Sequence, residues 1–126
     1  MLYSKEYPDF LTATCLEWKP LLHTDGNKDF IIDSLSYLTQ NNRAVVYGFV
    51  IMINHLHLIW QLLGSNKRDS VQRDFLKYTG QHILLNIKNS EPARHKELYV
   101  GAKDRKFQVW ERNSLSIRKH PVKYRY

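Results

Sequence analysis

Cysteine occurs once in the chain, at Cys15, so no intrachain disulfide can form and a reducing, cytoplasmic setting is expected. No apolar run reaches the length that spans a bilayer, so no membrane association is expected. The start, MLYSKEYPDF, lacks the charged-then-apolar layout of a signal peptide. Prolines (4) and glycines (5) are few and form no linker, and there is no repeat or low-complexity tract. With 126 residues, 43% of them hydrophobic and 25% charged, the chain reads as one globular domain. Acidic residues are scarce in only one part. Residues 1–93 carry 9 Lys/Arg and 9 Asp/Glu, whereas residues 94–126 carry 10 against 3, so the whole excess of +7 lies there. A basic segment this concentrated suits a polyanionic partner, and it suits a solvated tail as well.

Phe10–Trp18 is rich in β-branched and aromatic residues and reads as a strand. Pro20 and Thr24–Asn27 mark a loop. Ile31, Leu35 and Leu38 fall at helical spacing within Lys28–Gln40. Ala44–Ile53 is almost wholly apolar, as in a central strand covered on both faces, or one covered by a helix and a partner subunit. His55–Leu63 alternates, with His55, His57, Ile59 and Gln61 on one face and Leu56, Leu58, Trp60 and Leu62 on the other. Asp69 or Ser70 can cap a helix through Val71, Phe75, Tyr78, Thr79, His82, Ile83 and Ile87, closed by Pro92. Arg105–Glu111 reads as a last short strand. The order β-α-β-β-α-β is the ferredoxin-like α+β pattern, an antiparallel sheet with its helices on one face and the other face free for a site.

His55-Leu56-His57 is the sharpest feature. Residues i and i+2 of a strand share a face about 7 Å apart, so two imidazoles can converge on one divalent ion. The pattern alone also fits two hydrogen-bonded histidines on a half-polar face. Lys67, Arg68, Arg73 and Lys77 cluster at the start of the second helix, and Lys103, Arg105, Lys106 and Arg112 surround the last strand. Either set can meet phosphates, and either can be a solvated face. Trp60 and Trp110 read as core, Tyr78 as core or DNA-facing, and Cys15 as buried and inert. His23, His82, His95 and His120 have no partner at ligand spacing.

Tyr47–Trp60 (YGFVIMINHLHLIW) resembles the histidine–hydrophobic–histidine region of the IS200/IS605-type single-strand DNA transposases. It is most similar to the tyrosine transposases associated with repetitive extragenic palindromes (REP). Ile53 stands where that family often has proline, a change expected to alter the turn and spare the ligands. Phe75–Gln81 (FLKYTGQ) and Asp104–Arg112 (DRKFQVWER) continue the likeness, which covers roughly residues 8–117. The resemblance implies a dimeric enzyme of mobile elements that binds single-stranded or hairpin DNA. A tyrosine nucleophile cuts one strand, and the histidine pair with a third residue holds Mg²⁺ or Mn²⁺. In the family that tyrosine lies on a helix after the last strand, in a Tyr-Ile-x-x-Asn/Gln-like segment. Ser114–Tyr126 has no such motif, and Pro121 interrupts any helix there. The expectation is therefore a single domain, 1–126, without the tyrosine helix and catalytically impaired. Tyr124 and Tyr126 are the nearest substitutes for the nucleophile by position. Two other functions fit the residues: a DNA-hairpin-binding regulator without catalysis, and a metal-dependent hydrolase using His55 and His57, which would need a further His, Asp or Glu nearby.

Overall fold

The protein is described by a computed structural model covering residues 8–63, 68–112 and 115–118; for residues 68–69 and 115–118 the backbone alone is described. Four strands, β1 (Asp9–Thr14), β2 (Ala44–Ile51), β3 (His55–Leu62) and β4 (Leu115–Arg118), form one sheet in the order β2-β3-β1-β4. Every neighbouring pair is antiparallel. Three helices accompany them: α1 (Asp25–Gln40), α2 (Arg68–Ser90) and the short α3 (Pro92–Glu97). This is the expected ferredoxin-like arrangement, with β1 and β3 inside the sheet.

Leu11, Ala13, Leu56, Leu58 and Trp60 are fully buried on one side of the sheet. Ile31, Leu35 and Leu38 of α1 and Val71, Phe75, Ile83 and Ile87 of α2 complete that core. Trp60 meets Phe75 edge to face with ring centroids 5.5 Å apart. The helices are tied by a buried polar bridge. Asn27 donates Nδ2 to the Leu21 carbonyl (2.8 Å) and accepts from Asn86 Nδ2 (2.8 Å). The Thr24–Asn27 cluster is therefore the first turn of α1 as much as a loop: Thr24 caps the helix by accepting from Asn27 N–H.

Three expectations shift. Ala44–Ile53 supplies an edge strand, because β3 pairs with it on one side only. Val45, Tyr47, Phe49, Val50, Met52 and Ile53 are all exposed in the single chain. Its register slips at Val46/Gly48, a bulge that reverses the facing of the residues after it. Pro92 does not merely end α2; it opens α3 at the first helical position, where its missing N–H costs nothing. Arg105–Glu111 is not a strand. It runs as a strap fixed by two isolated bridges, Tyr99–Phe107 and Cys15–Trp110, while the fourth strand is Leu115–Arg118 against β1. The β-rich composition of the strap reflects burial of Gln108, Val109 and Trp110 rather than a ladder.

The period-two division of β3 is open to direct measurement. Leu58→Ala should cost about 2–5 kcal/mol in urea unfolding, as for other buried leucines. His57→Ala on the opposite face should cost about 0.5 kcal/mol or less. Equal costs would contradict the facing described here.

Candidate metal and nucleic-acid site

The face of the sheet away from the helices carries Thr12 and Thr14 of β1 opposite His57 and His55 of β3. His55 is half-buried and His57 exposed. The tip of the β2–β3 hairpin sets where β3 begins. Met52 N–H donates to the His55 carbonyl, leaving Ile53 and Asn54 as the two tip residues. Both tip carbonyls are held from outside the hairpin: Ile53 accepts from Leu22 N–H (2.8 Å) and Asn54 from Cys15 N–H (2.9 Å). Isoleucine at position 53 is thus accommodated in a well-anchored turn, and neither tip residue takes a positive φ.

The two imidazoles lie with centroids 4.8 Å apart and planes at 81°. With metal–nitrogen bonds near 2.1 Å, two imidazoles at a right angle on one ion have centroids about 4.5 Å apart. The ring separation is therefore close to that of two imidazoles sharing one ion. Their Nδ1 atoms are engaged from behind, His55 with Asn54 Oδ1 (2.8 Å) and His57 with Thr12 Oγ1 (3.0 Å). An amide oxygen can only accept, so this contact favours the His55 tautomer that carries its proton on Nδ1, in which the Nε2 lone pair is left for a ligand. Thr12 can accept in the same way for His57. Among the described residues no third His, Cys, Asp or Glu joins the pair. Gln61, on the same face, accepts from Tyr47 Oη (2.6 Å).

Beside the pair stands a residue that the sequence reading left as the end of a strand. Trp18 is 61% exposed, and its ring meets His55 edge to face at 5.8 Å. It sits in a 3₁₀ turn, Leu16–Trp18, in which Glu17 (φ 52°) and Trp18 (φ 58°) are both left-handed. That conformation costs a non-glycine residue about 1 kcal/mol or more. The turn is held by Trp18 N–H to Cys15 O (2.9 Å), Lys19 N–H to Leu16 O (3.0 Å) and Glu17 N–H to Glu111 Oε2 (2.7 Å). The only signal in the sequence was its position, just beyond the alternating run and two residues before Pro20.

A second feature lies between α2 and the strap, a groove of about 940 Å³. Arg73 and Lys77 from α2 and Arg105, Lys106 and Arg112 from the strap all line it, against two carboxylates, Asp104 and Glu111. Two basic clusters distant in sequence thus share one surface. Asp104 accepts from Arg112 (2.7 Å) and Arg105 (3.0 Å), and the two guanidinium groups, Arg112 first, hold its carboxyl down at about 2. Arg73 pairs with Asp74 at 3.8 Å. Among the described residues Lys77 and Lys106 have no ion pair, so their charge is available to a ligand. Lys103 is exposed but outside the groove. Lys67 lies outside the described residues, and of Arg68 only the helical backbone is described.

The remaining candidates separate cleanly. Tyr124, Tyr126 and His120 lie outside the described residues. Tyr78 is neither core nor on the histidine face. It is 44% exposed and lines a cleft of about 500 Å³ between α1 and α2, with Asp33, Tyr37, Arg43 and Asp74. His82 packs against Tyr78 and Phe30, His95 stacks on Phe107, and His23 bonds the Pro20 carbonyl. Trp60 and Trp110 are buried as expected. Cys15 is fully buried, and burial pushes its thiol up to about 12, which removes it from nucleophilic chemistry.

No protein-family model and no curated protein matches the chain. Two solved structures are similar to it. A REP-associated tyrosine transposase bound to a REP hairpin superposes with a TM-score of 0.59 and 15% identity, covering 92% of this chain and 58% of that one. A candidate transposase from Deinococcus radiodurans R1 gives a TM-score of 0.54 and 12% identity, covering 91% of this chain and 81% of that one. The chain thus spans less than two thirds of the length of the first. In strand order, in its one-sided helical layer and in these two likenesses, the chain has the fold of the IS200/IS605-type tyrosine transposases.

Proposed function

We propose that this chain is a transposase-like DNA-binding protein acting in single-strand DNA transposition, with His55 and His57 holding a divalent ion, Mg²⁺ or Mn²⁺. The observation that carries the reading is the histidine pair itself: two imidazoles 4.8 Å apart, each tied at Nδ1, on the open face of this fold. A divalent ion there neutralises negative charge growing on the oxygens of a phosphate under attack. The chain's own residues do the rest. Asn54 and Thr12 orient the imidazoles, and the α2–strap groove attracts the phosphate backbone through Lys77 and Lys106. The partner we infer is single-stranded or hairpin DNA, supported by the hairpin bound to the transposase neighbour. A cytoplasmic setting accompanies this reading; among the described residues no helix is long and apolar enough to cross a membrane.

Strand cleavage is proposed to be impaired. Of the described tyrosines, Tyr37 and Tyr78 line the cleft between α1 and α2 and Tyr99 packs on Phe107, while Tyr47, toward the histidine face, has its hydroxyl committed to Gln61. A nucleophile must stand in line with its phosphate, and misplacement by about 1 Å can cost 100-fold in rate. The apolar edge of β2 is best covered by a second copy of the chain, giving a homodimer; sedimentation as a monomer at high concentration would refute that.

Three measurements test the reading. His55→Ala with His57→Ala should abolish Mn²⁺ binding seen by electron paramagnetic resonance, and Asn54→Ala should weaken it about 10- to 100-fold, as loss of an orienting partner does. Binding that survives the double substitution removes the assignment. Binding of labelled hairpin DNA should fall steeply with salt, and Lys77→Ala with Lys106→Ala should flatten the log–log slope by roughly 1.4 to 1.8. On a denaturing gel the same hairpin with Mn²⁺ should give no covalent protein–DNA band. A band lost in Tyr124→Phe or Tyr126→Phe would name the nucleophile and overturn the impaired reading.

A further inference from the structure

We propose that Trp18 is a stacking platform for an unpaired nucleobase adjoining the phosphate presented to His55 and His57. The proposal rests on the reading of the histidine face as a single-strand DNA site.

Trp18 differs from the other two tryptophans in exposure, at 61% against 0% for Trp60 and 6% for Trp110. Leaving so large an apolar ring in water forfeits the burial that normally places tryptophan inside. The backbone makes the exposure more than incidental. Glu17 and Trp18 are consecutive left-handed residues, and neither is glycine. Such strain persists only where the surroundings over-determine it, and it gathers at ligand sites. The surroundings here are specific: Cys15 and Leu16 carbonyls, the Glu111 carboxylate, and a Lys19–Glu17 ion pair at 2.6 Å. They hold the indole beside His55, at a ring distance of 5.8 Å and an angle of 70°. An edge-to-face contact of this kind covers at most one indole face, leaving the other for a ligand.

The chemistry of that free face selects the occupant. A flat, uncharged π surface recognises another π surface, and every base has one. In a duplex the faces of the bases are already stacked on their neighbours, so only an unpaired base can use the platform without unstacking cost. Lys19, the adjacent cation, is occupied by Glu17, so Trp18 contributes stacking and not phosphate attraction. The groove and the platform are physically joined, because Glu111 lines the groove and also receives the Glu17 N–H of the Trp18 turn. A hairpin bound along the groove would thus bring its unpaired extension to Trp18, and the flanking phosphate to the histidines.

The test uses tryptophan emission of the full chain, with Trp18→Phe as comparator. In the free protein, acrylamide should reach one emitting component that is missing from Trp18→Phe. A short single-stranded oligothymidylate should quench that component and protect it from acrylamide, with no such change in the comparator. Trp18→Ala should weaken binding of a hairpin carrying an unpaired extension by about tenfold, the effect of losing one base–aromatic stack. It should leave the blunt hairpin unaffected, and Trp18→Phe should restore part of the loss. Melting of each variant separates a folding defect from a binding defect, and the wild-type quenching needs no variant at all. The proposal is overturned if Trp18 is already shielded in the free protein, as by another part of the chain or a second copy. It is also overturned if saturating oligonucleotide leaves its emission unchanged, or if blunt and extended hairpins weaken alike. Failure of hairpin binding altogether, or ion binding that ignores His55 and His57, sinks the underlying site reading instead, and the platform with it.

Discussion

The register of β3 is the constraint on which the rest depends. This strand lies between β1 and β2, so its hydrogen bonds are used on both edges and its side chains have only two places to go. Leu56, Leu58, Trp60 and Leu62 fill the space under α1 and α2. A slip of one residue would turn Trp60 into solvent and drive His55 and His57 into an apolar layer with no partners. Each of those changes is costly, and the slip makes them together. The imidazoles therefore converge on the open face because the core fixes the other side of the same strand. Thr12 and Asn54 then need only supply orientation, one from the paired strand and one from the hairpin tip.

A second element ties the site to the helical layer. The strap through residues 107–111 makes few ladder contacts, yet it is fastened at every step. Gln108 N–H donates to Leu98 O, Leu16 N–H to Val109 O, Trp110 Nε1 to Thr79 Oγ1, and Glu111 N–H to Thr14 O. Trp110 lies against α2 at Gly80, where a Cβ would stand 3.4 Å from its ring. A Cβ alone would meet the indole in van der Waals contact, and a side chain reaching beyond it would press the indole, and with it the strap, outward. The left-handed turn at Glu17 and Trp18 is thus braced from the helix side through Trp110 and Glu111, which is how strain at an exposed turn can be sustained.

Much of this was legible in the chain because it follows from periodicity. The alternation of His55–Leu62 identified the strand, its two faces and the placing of His55 and His57 together on one of them, since one repeat governs all three. Helical spacing found α1 and α2 for the same reason. What escaped was set by tertiary context. Arg105–Glu111 has a strand's composition but pairs only at isolated points, because it is buried by α2 and the β1 end rather than by a sheet. Leu115–Arg118 is short and follows a basic stretch, so nothing local marked it as the edge that closes on β1. The unbroken apolar run of Ala44–Ile53 suited a central strand or one covered by a helix and a partner subunit; the strand is an edge, and the bulge at Val46/Gly48 explains how it can expose apolar residues on both faces. Trp18 could not be placed from sequence at all: its exposure comes from backbone angles that two non-glycine residues adopt only when braced.

The division of charge across the molecule completes the argument. Across β1, β2 and β3 the open face carries no lysine or arginine, only threonines, histidines, the Tyr47–Gln61 pair and apolar side chains. Lys77 and Lys106, which have no ion pair among the described residues, are in the groove on the helical side. Attraction between exposed charges fades over a Debye length of about 8 Å at physiological salt. Among the described residues, the histidine face therefore has little charge with which to draw a phosphate, and an ion held by two imidazoles would be a modest exception. If DNA is the ligand, as proposed, the groove is where attraction to its backbone would act. The strap is the structure that spans the two, lining one with Arg105, Lys106 and Arg112 and fixing the other through Glu111. On the proposed reading such a separation would let a strand held by its distant phosphates reach the histidines without strong ground-state attraction there.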